Sequence, residues 1–198
     1  GLLSLGLLAV FAVAASAQGI DGSAHDFAAD ANFGAPGEIC IVCHTPHNAL
    51  GTTIALWNHE ETVAAFTVYS SPTLQATDVG NPTGASKACL SCHDGTVALN
   101  DFGGSTGGTN YITGADSLGT SLVNDHPVSF TYDAALATLD GELFDPSTTA
   151  SGLGAEIDDD LLIAGKMECS SCHDVHDAVG LTNVLVKANT NSALCLTC

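Results

Sequence analysis

Apolar residues crowd the start of the chain and then thin out. Residues 2–15 form one nearly unbroken apolar run, and Ala15-Ser16-Ala17 follows as a small-x-small site. The run is shorter than the ~20 residues of a membrane span, and it closes on small residues, which is the pattern of a secretory signal peptide. Neither an initiator Met nor a basic segment precedes it. The expectation is a leader at 1–17, truncated at its N-terminus, and an exported chain whose mature part has no membrane span. One domain then runs from 18 to 198, itself truncated at its C-terminus.

Past the leader, hydrophobic periodicity is weak. The stretch 100–121 has neither a helical nor a strand period. Two short helices are predicted. Asn58 is placed to cap 61–66, with Glu61 at the third helical position, and Asp133 is placed to cap a turn over 134–138. No segment reads as a convincing strand. The predicted fold class is mostly irregular, loops with short α-helices and little or no sheet. Such a chain needs something other than side chains to fill its interior.

The cysteines supply a reason. All eight fall into four Cys-x-x-Cys pairs, Cys40/Cys43, Cys89/Cys92, Cys169/Cys172 and Cys195/Cys198. Histidine follows the first three directly, as His44, His93 and His173, and the fourth pair ends at Cys198. Cys-x-x-Cys-His is the attachment site of c-type haem, in which two thioethers hold the macrocycle and the histidine becomes the proximal iron ligand. Zinc ribbons, thioredoxin-like dithiols and disulfides also use paired cysteines. None of them explains a histidine directly after each pair that can be inspected. The reading is a multihaem cytochrome c fold organised around covalently bound haem c, with four sites and the last lacking its proximal histidine. Without haem the chain is expected to be largely unfolded.

Charge narrows the partners. Three lysines and no arginine face 22 acidic residues, for a net charge of −19. Nucleic acid is excluded, because phosphate binding needs clusters of Lys and Arg, and such a surface favours cationic partners. Lys87 and Lys166 stand just before haem motifs, where they either offset propionates or are simply solvated. Asp158-Asp159-Asp160 lacks the spacing of a defined calcium loop and reads as a solvated loop.

The distal iron ligands are the remaining question. The single methionine, Met167, lies two residues before Cys169 and is tied to that haem's edge. Histidine is left, and bis-histidine ligation closes both faces of an iron, which suits electron transfer. Five histidines are not proximal: His25, His47, His59, His126 and His176. His47 and His176 each follow a proximal histidine by three residues, in a repeated Cys-x-x-Cys-His-x-x-His. So close to its own proximal ligand, such a residue can reach only a neighbouring haem. We expect His47 to serve the Cys89/Cys92 haem, His176 the Cys195/Cys198 haem, and His25 and His126 the other two. His59 is the surplus member, a packing residue or a ligand to a haem elsewhere.

Several blocks resemble a known family. Ser23-Ala24-His25-Asp26-Phe27, Cys40 through Ala49, Leu56-Trp57-Asn58-His59, Ser86 through Ala98, Asn124 through Phe130 and Met167 through Asp177 are similar to the doubled-motif, cytochrome c3-like multihaem cytochromes. Nearest are secreted tetrahaem members, some of which polymerise into extracellular conductive filaments. The resemblance implies bis-histidine haems, close stacking and export. The expected function is electron transfer between redox partner proteins or extracellular acceptors, not enzymatic catalysis. Self-assembly into filaments and a soluble periplasmic shuttle are both open. A multihaem reductase would need an iron with an open face, and no variant motif suggests one.

Overall fold

The computed structural model describes residues 19–51, 54 and 56–198. The expected leader at 1–17 lies outside the described residues. Most of the described chain is turn and irregular backbone. Its regular elements are β1 (Thr67–Val68), α1 (Gly84–His93), β2 (Ser121–Leu122), β3 (Phe130–Thr131), α2 (Ala134–Asp140), α3 (Ile157–Asp160) and β4 (Lys166–Met167). β1 pairs with β2 in parallel and β3 with β4 antiparallel, two residues each. The low content of regular structure agrees with the sequence reading. Among the described residues no helix is long and apolar enough to cross a membrane.

α1 forms where Ala85, Lys87, Ala88 and Leu90 give good helix propensity with no β-branched residue to oppose it. α2 starts as expected. The Asp133 carboxylate accepts from the Leu136 amide at 2.8 Å, and the helix runs two residues past the predicted turn to a left-handed Gly141 at φ 80°.

The helix predicted over 61–66 does not form. Trp57 and His59 are instead drawn into isolated bridges with His44 and Phe102. Asn58 turns its amide to the Ile41 carbonyl at 2.5 Å. The Thr62 amide donates to Ser91 Oγ at 3.0 Å, and its hydroxyl donates to the Asp94 carboxylate at 2.5 Å. Long-range bonds to α1 thus replace the local i→i−4 bonds of a segment rich in β-branched residues. Asp158–Asp160 is another correction. The run lies in α3 rather than a loop, and Asp160 accepts from Ser151 Oγ and from the Ala155 amide.

Two apolar clusters sit at different places. One gathers Phe130, Tyr132, Leu136, Ala137, Ile157, Leu161, Leu162 and Met167, with Cys198 against its edge. The other is smaller, Phe33, Ala35, Val42 and Leu99, with Cys43 and Cys92 against it. The first is an ordinary side-chain core, which the reading of the sequence did not anticipate. It also buries Met167, at 5 % exposure.

Candidate functional site

The two Cys-x-x-Cys-His-x-x-His segments fold alike. The His44 amide donates to the Cys40 carbonyl at 2.8 Å, and the His173 amide to Cys169 at 3.0 Å. The next residue in each, Thr45 or Asp174, donates to Leu56 or Val184 at 3.0 and 2.7 Å. The second cysteine of each, Cys43 or Cys172, accepts from Asn58 or Val186 at 2.9 and 3.0 Å. Positive φ recurs at matching places, Asn48 with Asp177 (55° and 51°) and Leu56 with Val184 (59° and 49°). Each motif is therefore a tight turn clamped by a returning strand, at 40–58 and again at 169–186. The second motif is different. Cys89, Cys92 and His93 lie on α1 at i, i+3 and i+4, which places both sulfurs and the imidazole on one face. The fourth pair opens a 3₁₀ turn, Cys195–Thr197.

Two pairs of imidazoles lie close together. His25 and His93 have ring centroids 6.2 Å apart, and His44 and His176 stand 6.3 Å apart and nearly parallel. A metal–imidazole bond of about 2.0 Å, plus roughly 1.1 Å from that nitrogen to its ring centre, puts two imidazoles trans on one metal about 6.2 Å apart. Both pairs join a motif histidine to a non-motif one, as bis-histidine ligation requires. His93 Nδ1 lies 2.7 Å from the Asp116 carbonyl and His173 Nδ1 2.9 Å from that of Asn183. A ring that donates from Nδ1 leaves Nε2 free for a metal. Burial, then the neighbouring His93 and His173, lowers the His25 pKa, which favours the neutral, ligating form. His25 Nδ1 is buried without a protein partner. Among the described residues no three His, Cys, Asp or Glu side chains form one metal-binding group. Each pair offers two nitrogens, and a porphyrin brings its own four. The residues fit haem.

The pairing differs from the expected one. His176 reaches the first motif, not the fourth, and His25 the second, not the first or third. His176 lies beside another motif's histidine; which motif it meets depends on how the two turns dock, which spacing does not encode. His47 is exposed on its turn. His126 is exposed too, its Nδ1 2.8 Å from the Pro127 carbonyl. His59 is fully buried, with Nδ1 2.9 Å from the Glu60 carbonyl and Nε2 3.7 Å from Cys92 Sγ, and its ring packs beside Trp57. That is the environment of the packing alternative.

None of the eight cysteines is in a disulfide. Burial pushes the Cys43 thiol up to about 12, and it raises Cys92 as well, with Cys43 next among the causes. Cys89 and Cys169 hydrogen-bond side chain to side chain, which drives Cys89 up and Cys169 down. Burial raises Cys172, with Cys195 next, and lifts Cys198 to about 11, with Cys172 next. Of the sulfurs in different motifs, Cys89 and Cys169 interact directly, while Cys43 with Cys92 and Cys172 with Cys195 and Cys198 interact electrostatically. The raised thiols are poor nucleophiles; Cys169, lowered to about 7 by its contact with Cys89, is the exception.

Sequence reasoning missed Glu168. Its carboxylate, 2 % exposed, accepts from the Ser86 amide at 3.2 Å, from the Ser86 hydroxyl, and from Ser129 Oγ at 2.9 Å. Its place directly before Cys169 was visible, but nothing local marked it as buried. The lysines beside the motifs are engaged by protein groups. Lys87 pairs with Glu61 at 2.8 Å. Lys166 donates to the Ser129 carbonyl at 3.0 Å and lies 3.9 Å from Asp78. No protein-family model matches the chain, and no curated protein matches it.

Proposed function

We propose that this chain is an exported electron-transfer protein that carries haem c at its four Cys-x-x-Cys sites. The observation that carries the reading is the pair of imidazole couples, each joining a motif histidine to a distant one at the separation of two axial ligands. Haem c bound there supplies a one-electron Fe(III)/Fe(II) couple. The chain's own residues attach it through the cysteines, offer His44 with His176 and His93 with His25 as axial pairs, and hold the His93 and His173 rings by their Nδ1 bonds. An iron closed on both faces has no position for a substrate, so these sites suit relay rather than catalysis. The acidic surface, at a net charge of −19, suits cationic redox partners.

The test is expression in a host that attaches haem c, followed by intact mass, absorption and carbon monoxide titration. We expect covalently bound haem with a low-spin spectrum and no ferrous–CO band from the first two sites. A colourless, zinc-loaded product would overturn the reading, and a stoichiometric CO band from the first or second site would move it toward a reductase.

A further inference from the structure

α1 has no cap of its own. Thr83 stands at its N-cap without a side-chain cap bond, and the free amide of Ser86, in the first turn, is taken by Glu168 Oε2 at 3.2 Å. Glu168 is the residue directly before Cys169, so one carboxylate ties the second motif to the third. The Ser86 hydroxyl donates to Glu168 and accepts from the Cys169 amide at 2.9 Å. Ser129 Oγ donates to Glu168 at 2.9 Å and accepts from the Thr83 amide at 2.9 Å. Ser171 closes a reciprocal capping box with Glu168. The site is shaped for this carboxylate: a Cβ on Gly84, whose φ is +51°, would stand 2.9 Å from Glu168 Oε1. Every group aimed at the carboxylate is a donor, and among the described residues no cation lies within ion-pair distance of it. Beside it, Cys89 and Cys169 are in side-chain contact.

We infer that Glu168 is a positioning and tuning residue that locks the second and third motifs together and holds a negative charge with no direct ion-pair partner beside both attachment sites. This rests on the haem reading above. A buried anion next to an iron centre favours its oxidised, more positive state, and low local dielectric makes the effect larger than at a surface. The haems of motifs two and three are then the hardest to reduce.

Spectroelectrochemical titration of the holoprotein, resolved into its component haems, tests this. Glu168→Gln keeps an oxygen for the same donors and removes the charge. At a fixed electrode potential the reduced-to-oxidised ratio should rise about tenfold for two haems, 59 mV for a one-electron couple, and stay within twofold for the others. Glu168→Asp should keep all ratios within twofold of the parent. Ser129→Ala removes one donor and leaves the charge less compensated, so the same two ratios should fall two- to threefold. It decides the matter if Glu168→Gln does not assemble. Unchanged or uniformly shifted ratios would overturn the role of Glu168 while leaving the haem reading intact. A parent protein with no haem absorption would instead remove the reading beneath it.

Discussion

The turn at 40–58 and the turn at 169–186 share their backbone bonds but not their surroundings. The first packs Val42 and Cys43 into a small apolar cluster beside Phe33 and Leu99. The second is preceded by the buried Glu168 and is fastened by it to α1. In the first, the imidazole at the proximal position, His44, has His176 opposite; in the second, His173 is held by Asn183. Sequence spacing alone can write the clamp, because every bond in it is made within about twenty residues. What each turn docks against is a long-range matter, and there the two copies have diverged. The clamped turn is repeated, whereas the contacts that each copy makes are individual.

The largest effect that would break this comparison comes from removing an attachment pair. Replacing Cys40 and Cys43 by Ala should lose one haem, read as one haem mass in the intact protein. Replacing Cys169 and Cys172 should lose one haem and also disturb the second site, because the cap of α1 depends on where Glu168 sits. Equal, single losses would mean that the two turns are independent. Next in size is His176→Ala. It clears the position opposite His44 and should create one CO-binding ferrous haem, as should His25→Ala at the second motif. The same titration on His47→Ala sharpens the comparison: a further CO band would mean that the two turns exchange imidazoles, and none would mean that only the second reaches across.

The low content of regular structure and the Asp133-capped helix were legible in the sequence because they are local. The helix expected at 61–66 failed for the opposite reason. Its capping pattern is real, but Thr62 finds Ser91 and Asp94, some thirty residues away, to be better partners than its own neighbours. The same limit explains the imidazole pairs. The spacing of His176 carries no information about which motif it would lie beside. Glu168 was illegible because a carboxylate in a chain with 22 acidic residues gives no sign of burial. The apolar cluster around Phe130 and Ile157 draws its members from 130–167 without a helical or strand period, so no window of the sequence announced it.

Two smaller effects probe the docking itself. Gly84→Ala places a methyl against Glu168 at a left-handed φ and should cost about 1–2 kcal/mol, seen as a lower midpoint in denaturant unfolding. The first turn has a close approach of its own, since a Cβ on Gly51 would meet the Glu61 carboxylate, but that carboxylate is only partly buried. The smallest effect belongs to the ion pair of Lys87 and Glu61, at 2.8 Å with the side chains 33 % and 19 % exposed. It joins α1 to the segment that follows the first turn. Partial exposure screens it, so Glu61→Gln should cost about 0.5–1 kcal/mol, and the loss should shrink as salt is raised. A salt-independent loss of several kcal/mol would show that the first turn, too, is fastened to α1 by a specific polar contact, and the contrast between the two copies would then narrow to the choice of residue.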